Sequence, residues 1–223
     1  VLNSVAPPGA EAAKQAFHRH LQAIVVKIQR AASFDDVILE VCNDICALFN
    51  ADRITIYTLS DDKTSIISKV KTGLHSFKDL KLPIGEHSLA GYVALSKQVL
   101  NLRDVYDDAE LKRVNPKLRF LQEVDRRTGY RTKQVLVAPI LDSTSFTLIG
   151  VVQLINNKSG TAFPPIGDEL IVDVCKMLAL ALKTKTAART VSTTYDHLVN
   201  DGIISANDFQ LAQRQARKKN IDL

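Results

Sequence analysis

The strongest constraint in this 223-residue chain is a pair of nearly continuous apolar runs, Gln134–Leu141 (QVLVAPIL) and Thr147–Asn156 (TLIGVVQLIN), joined through a short polar link at Asp142–Ser145. A strand that is apolar on both faces has to be covered on both faces. A link this short joins antiparallel neighbours, because a parallel crossover needs about a dozen residues or more. The pair therefore predicts a central hairpin inside an antiparallel sheet, with one layer of structure above it and another below.

The rest of the chain supplies those layers. After Pro8, Phe17, Leu21, Ile24, Val25 and Ile28 form a single stripe at a 3.6-residue period, which predicts a helix. A second helix starts at Ser33, a capping residue with Asp36 three positions on, and its stripe is Val37, Ile38, Val41, Cys42, Ile45, Leu48 and Phe49. Strands follow at Arg53–Leu59 and Ser65–Lys71 around the turn Asp61–Lys63, and an apolar stretch at Leu80–Ile84 leads into Gly85. A short helix over Ser88–Gln98 and a brief strand over Val99–Leu102 come next, then a charged, partly helical stretch, Asp107–Arg127, broken by Pro116. The last long helix begins near Asp168 with stripe Leu170, Ile171, Val174, Cys175, Leu178, Ala181 and Leu182. The fold class is α+β, with a sheet of about six antiparallel strands and long helices on one face. Two long helices suffice to cover that face, so the stripe of the first one, Phe17–Ile28, is expected to be left over, and a homodimer is expected through it and the helix after Asp168.

Composition and motifs remove most other roles. No apolar run approaches the roughly 18–20 residues of a membrane span, so no membrane contact is expected of this stretch. The net charge of +5 is spread along the chain, Trp is absent and aromatics are 6%, unlike the basic, aromatic-interleaved face of a nucleic-acid binder. Cys42, Cys46 and Cys175 lack zinc-type spacing and read as small apolar residues of a reducing cytoplasm. His18 and His20, two apart on a helix, face different directions and cannot share a metal. No phosphate loop, dinucleotide fingerprint, nucleophile elbow or zinc-protease motif occurs, so neither catalysis nor a metal or cofactor is expected. The sequence starts at Val1 without a leader pattern and is expected to be a soluble, cytoplasmic fragment of a longer protein.

Three stretches resemble the GAF family of sensory domains: LPIGEHSLAGYVALSKQVLNLRDVYDD (Leu82–Asp108), TGYRTKQVLVAPI (Thr128–Ile140) and IGVVQLINNKSGTAF (Ile149–Phe163). The resemblance implies a GAF domain over 34–186, with a small helix-and-loop layer over a ligand pocket on the sheet face away from the long helices. Gly91, Ala90 and Ala94 suit a helix lying close to that sheet. By position in such a fold, Ser88, Leu89, Tyr92, Asn101, Tyr106, Tyr130, Thr132 and Gln153 are the candidate ligand-binding residues. The second and third stretches are similar to the cyclic-nucleotide type found in phosphodiesterases and some adenylyl cyclases. The signature of that type is N-K followed by F-x-x-x-D-E. Asn157, Lys158, Phe163, Asp168 and Glu169 stand in its place, with four residues rather than three between Phe163 and Asp168. The resemblance implies a structural tie between Lys158 and Asp168 that does not touch ligand.

From Thr193, TTYDHLVNDGIISANDFQLAQRQARKK resembles the N-terminal region of the ATPases of type II secretion and type IV pilus assembly. Thr193-Thr194-Tyr195 stands where that family has R-L-G, so cyclic di-GMP binding by this piece is not expected. The organisation expected is a dimerising or linking helix over 1–33, the GAF domain, and the helical start of a following domain over 187–223. The function expected is a non-catalytic regulatory module of a larger bacterial protein, binding a small ligand, with cyclic nucleotides foremost, and controlling an output domain such as a secretion ATPase. The alternatives are a purely structural dimerisation module and, third, a GAF-type enzyme such as a free methionine sulfoxide reductase. All three cysteines fall on the long helices, which speaks against the enzyme and against a bilin carrier.

Overall fold

The computed structural model describes residues 10–30, 34–71 and 80–200, with Ser205, Asp208, Leu211 and Gln215 beyond them. Twelve elements follow in order: α1 (Ala10–Arg30), α2 (Phe34–Leu48), β1 (Ala51–Leu59), β2 (Ser65–Lys71), β3 (Lys81–Pro83), α3 (Leu89–Ser96), β4 (Leu100–Leu102), α4 (Asp108–Val114), α5 (Glu123–Thr128), β5 (Val135–Leu141), β6 (Leu148–Asn157) and α6 (Ile166–Asn200). The six strands form one sheet in the order β3-β2-β1-β6-β5-β4, with every neighbouring pair antiparallel. The two apolar runs are the interior neighbours β5 and β6, paired as Val137↔Gln153 and Ala138↔Val152 with a register shift between Ile140 and Leu141, and the middle pair of the sheet is β1 and β6. Asp142 closes their link, its Oδ1 accepting from the backbone N–H groups of Thr144 and Ser145.

Strand alternation sorts the side chains into two cores. Tyr57, Val135, Val137, Val151, Leu100 and Leu102 join Leu89, Val93 and Leu111 in a cluster beneath the small layer of α3 and α4. The intervening positions Ile54, Ile56, Leu136, Ala138, Val152 and Leu154 are fully buried on the opposite face. There α2 lies against β1. A methyl group at Gly167, near the start of α6, would stand 3.6 Å from Leu136, so α6 begins over that same face.

Local chemistry sets the element ends. Ser88 caps α3 by accepting from the Gly91 N–H, and Lys97 ends it in the left-handed region at φ 55°. The expected helix over Ser88–Gln98 is therefore shorter, because its first residue is a cap and its last two lie past the stop. Asp107 caps α4 through the N–H groups of Ala109 and Glu110, and Gly129 at φ 66° ends α5. α6 starts at Ile166, straight after Pro164-Pro165, which places Asp168 and Glu169 in its first turn. Two glycines are sterically required. A Cβ at Gly91 would lie 2.5 Å from the Pro83 carbonyl oxygen, and one at Gly150 would run into the Tyr57 carbonyl of the neighbouring strand.

One expectation changes here. The α1 stripe is not left over: Phe17, Leu21 and Ile24 are buried within the chain, with Phe17 edge-on to Phe49 at 5.5 Å. Lys27 pairs with Asp44 at 2.6 Å and Glu40 at 3.3 Å, and His18 contacts Asp173 at 3.3 Å, so α1 is held to α2 and α6. An apolar stripe with polar neighbours that match two helices of its own chain buries itself locally. Among the described residues, the large apolar side chains that remain exposed on the long helices are Val26 of α1 and Ile166, Val172 and Leu180 of α6.

The chain divides into two compact units, Val1–Leu180 and Ala181–Leu223. In the second, Ser205 Oγ accepts from the Asp208 N–H at 3.1 Å, as a helix cap does. The Gly202–Ile204 turn and the Ser33 cap lie outside the described residues. No helix among the described residues is long and apolar enough to cross a membrane.

Candidate functional site

A cavity of about 130 Å³ lies in the first unit, between the sheet and the small layer. Its floor is made by Thr55 and Tyr57 of β1 with Gln153 and Ile155 of β6. Thr55 and Gln153 are direct cross-strand partners, so their side chains leave the same face side by side. Leu80 and Leu82 form one wall, and Ser88, Leu89 and Ala90 at the start of α3 form another. Phe120, Leu121, Val124 and Asp125 close it from the α4–α5 side, with Thr132 beside them.

The floor carries polar groups without partners. Gln153 is 9% exposed and Thr55 7%, and neither side chain makes a hydrogen bond among the described residues. Tyr57 is likewise buried and unpartnered, and desolvation raises its phenol above the usual range, so it remains a protonated donor. Asp125 differs: it is 6% exposed and hydrogen-bonded on both oxygens. Its Oδ2 accepts from Tyr106 Oη (2.9 Å) and the Thr132 N–H (2.8 Å), and its Oδ1 accepts from Thr132 Oγ1 (2.8 Å). The carboxylate thereby straps α5 to the segment entering β5. Tyr106 is held behind the strap between Phe120 (ring centroids 5.2 Å apart) and the Arg131 guanidinium (3.3 Å from the ring centre). Burial and the bond to Asp125 raise its hydroxyl pKa.

Of the eight residues proposed from sequence, Ser88, Leu89, Thr132 and Gln153 stand on the cavity wall. Tyr92 is part of the packing around α3 rather than the wall. Tyr106 reaches the cavity only through Asp125. Tyr130 is committed elsewhere: its hydroxyl donates to Asp52 at 2.6 Å and accepts from Asn156 at 2.9 Å, and Arg53 covers its ring at 3.4 Å. Asn101 faces the wrong way for a cavity residue. Leu100 and Leu102 take the cavity-side positions of β4, which turns Asn101 to the helix side. There its Nδ2 donates to the Phe163 carbonyl (3.2 Å) and to Asp168 Oδ1 (2.7 Å), leaving Asn101 Oδ1 buried and unpaired.

That contact also replaces the expected tie. Asp168 is bonded by Asn101, while Lys158 is exposed and has no ion pair among the described residues; Glu169 is exposed as well. The longer link through Pro164-Pro165 brings the Asp168 carboxylate to β4 instead of to the turn after β6. Asn157 serves that turn, its Oδ1 accepting from Asn50 Nδ2 and the Ser159 N–H, and Phe163 is buried. Sequence reading missed Thr55, Tyr57 and Asp125. The first two had a signal, since they alternate with Ile54 and Ile56 and fall on an inward face. Asp125 had none, as one acid in a stretch full of charges.

The cysteines lie away from the cavity. Desolvation pushes Cys42 up to about 12 and Cys46 to about 11, and Cys175 is fully buried in α6. Among the described residues no group of three His, Cys, Asp or Glu side chains is placed to hold a metal ion.

A six-stranded antiparallel sheet with long helices on one face and a small helical layer closing a cavity on the other defines the α+β class to which the chain's fold belongs. The sequence profile of the GAF domain matches residues 33–182, and the chain belongs to that family. It is 30% identical over 139 residues to a probable 3′,5′-cyclic phosphodiesterase of Caenorhabditis elegans, covering 57% of this chain and 17% of that protein. It is 30% identical over 140 residues to a dual 3′,5′-cyclic-AMP and -GMP phosphodiesterase of Takifugu rubripes, covering 58% of this chain and 14% of that protein. The chain thus spans less than a fifth of either relative. The GAF domain of a Coxiella burnetii phosphoenolpyruvate-protein phosphotransferase superposes with a TM-score of 0.63 at 19% identity, over 78% of this chain and 96% of that one, a likeness of fold.

Proposed function

We propose that this chain is a non-catalytic regulatory module that binds a small organic ligand in the cavity above β1 and β6 and uses occupancy to bias an attached output domain. The observation that carries the reading is the floor: the Gln153 amide and the Thr55 and Tyr57 hydroxyls, without partners among the described residues, open into the cavity beside Leu82, Leu89, Phe120 and Ile155. Such groups cost stability unless something pairs with them, which is the signature of a binding site rather than of core packing. A route to the output exists in the same sheet. Strand β4 lines the cavity-side core through Leu100 and Leu102 and holds the first turn of α6 through Asn101 and Asp168. Ligand that tightens this layer favours one position of α6 over another.

The relatives act on cyclic nucleotides, and a cyclic nucleotide is the ligand their names bring forward. The output remains a proposal: the resemblance of the segment from Thr193 points to a secretion ATPase, while the relatives are phosphodiesterases. With its inner stripe covered, α1 pairs, in this reading, with a second copy through Val26 together with Val172 and Leu180 of α6. Thermal denaturation of the chain with cyclic mono- and dinucleotides and small metabolites tests the reading. A bound compound at about a hundred times its Kd stabilises by about 2.7 kcal/mol, whereas a flat response across the panel favours a purely structural module.

A further inference from the structure

The +5 surplus that reads as spread along the sequence is gathered in one layer. Residues 111–133 carry eight Lys and Arg against two Asp and Glu, and the other 200 residues carry 21 against 22. This segment holds the end of α4, the link to α5, α5 itself and the approach to β5. Leu111, Leu118, Asp125 and Thr132 are buried beneath it, so the residues between them turn outward. Lys112, Arg113, Lys117, Arg119, Arg126 and Arg127 are all exposed. The link is pinned at its middle, where the Arg119 N–H donates to the His87 carbonyl at 3.1 Å and Leu118 is fully buried. Two of the six bases meet an acid among the described residues: Lys117 pairs with Glu86 and Arg127 with Glu123, both at 2.7 Å. The Arg119 guanidinium donates to the Pro116 and Leu118 carbonyls, and Arg126 donates to Gln122 Oε1. These neutral partners orient the groups and leave their charge uncompensated.

We propose that this outer surface docks the chain, peripherally and reversibly, on an anionic lipid bilayer. The expectation of no membrane contact rested on spanning length, and no helix among the described residues spans; a peripheral contact needs only charge and shallow insertion. Each Lys or Arg held near an anionic membrane strengthens partitioning by about fivefold, so dispersed bases act together without a pocket to order them. Val114 and Leu121, 36% and 45% exposed among the bases, gain by entering the headgroup region. Two such side chains are too few for the apolar centre of a stable protein interface. A nucleic-acid backbone offers them nothing. The segment's aromatic rings, Phe120 and Tyr130, are packed against Tyr106 and under Arg53, so neither is free to stack on a base.

The test is sedimentation of the chain with phosphatidylcholine vesicles, with and without phosphatidylglycerol, and a parallel titration with duplex DNA. The expected result is sedimentation with the phosphatidylglycerol vesicles alone, weakened by added salt. Lys112→Gln, Arg113→Gln and Arg126→Gln combined should lower the partition coefficient about a hundredfold. Val114→Ser with Leu121→Ser keeps every charge and should lower it about fivefold. Absence of sedimentation with either vesicle overturns the proposal. So does sedimentation that the triple variant leaves unchanged, which would move the contact elsewhere, such as the basic run at 214–219. DNA binding that the triple variant loses, with the vesicles silent, overturns it in favour of a nucleic acid. The ligand-site reading stands or falls separately, on the thermal panel.

Discussion

Replacing Gln153 with leucine should make the unliganded protein more stable. Gln153 sits at the centre of the sheet, between Thr55 of β1 and Val137 of β5, 9% exposed and without a hydrogen-bond partner among the described residues. An unpaired buried amide costs roughly 1–3 kcal/mol relative to water. The adjacent cavity of about 130 Å³ admits water to one side of the amide and moves the cost toward the lower end of that range. Leucine removes the polar group, keeps similar volume and adds apolar burial on a face that already holds Ile155 and Leu82. The expected gain is about 1–1.5 kcal/mol, or a rise in Tm of roughly 2–6 °C for a chain of this size. Urea unfolding followed by circular dichroism reads it directly, as a higher midpoint with an unchanged slope. Destabilisation by about 1 kcal/mol or more would refute the reasoning, since the amide would then be making a structural bond.

Three further substitutions and one chemical probe follow from the geometry. Gly150→Ala drives a methyl group into the Tyr57 carbonyl at the β1–β6 seam and should cost about 2–3 kcal/mol in the same urea assay. Asn101→Asp faces Asp168 with a like charge and should destabilise by about 1–3 kcal/mol, most strongly at low salt. Lys158→Ala, at an exposed lysine with no ion pair among the described residues, should change stability by less than about 0.5 kcal/mol. Ellman's reagent at pH 8 should find Cys42, Cys46 and Cys175 unreactive in the native protein, because burial raises all three thiol pKa values, and reactive after denaturation.

The fold was largely legible because its evidence is periodic. The runs around Val137 and Val151 carry apolar residues on both faces, and the stripes of α2 and α6 repeat every 3.6 residues, so burial alone dictates their state. The partnership of α1 was not legible, because a stripe such as Phe17–Leu21–Ile24 shows that a face is buried but not against which helix. The site divided along the same line. Gln153 and Ser88 stand out as polar residues within apolar elements, whereas Asn101 was proposed by position alone, and on a three-residue strand one position reverses the direction of the side chain. Asp125 and Asp168 depended on tertiary hydrogen bonds to Thr132, Tyr106 and Asn101, and no local pattern encodes a partner 7, 19 or 67 residues away.

The central claim is that ligand enters above β1 and β6 and that α6 feels it. Hydrogen–deuterium exchange on the chain, with and without a saturating compound from the thermal panel, measures both halves at once. The account predicts slowed exchange in the segments carrying Thr55, Tyr57, Gln153, the start of α3 and Asp125–Thr132, together with a change in the first turn of α6 around Asp168. Protection confined to α1 and α2, with the cavity strands unchanged, would contradict it.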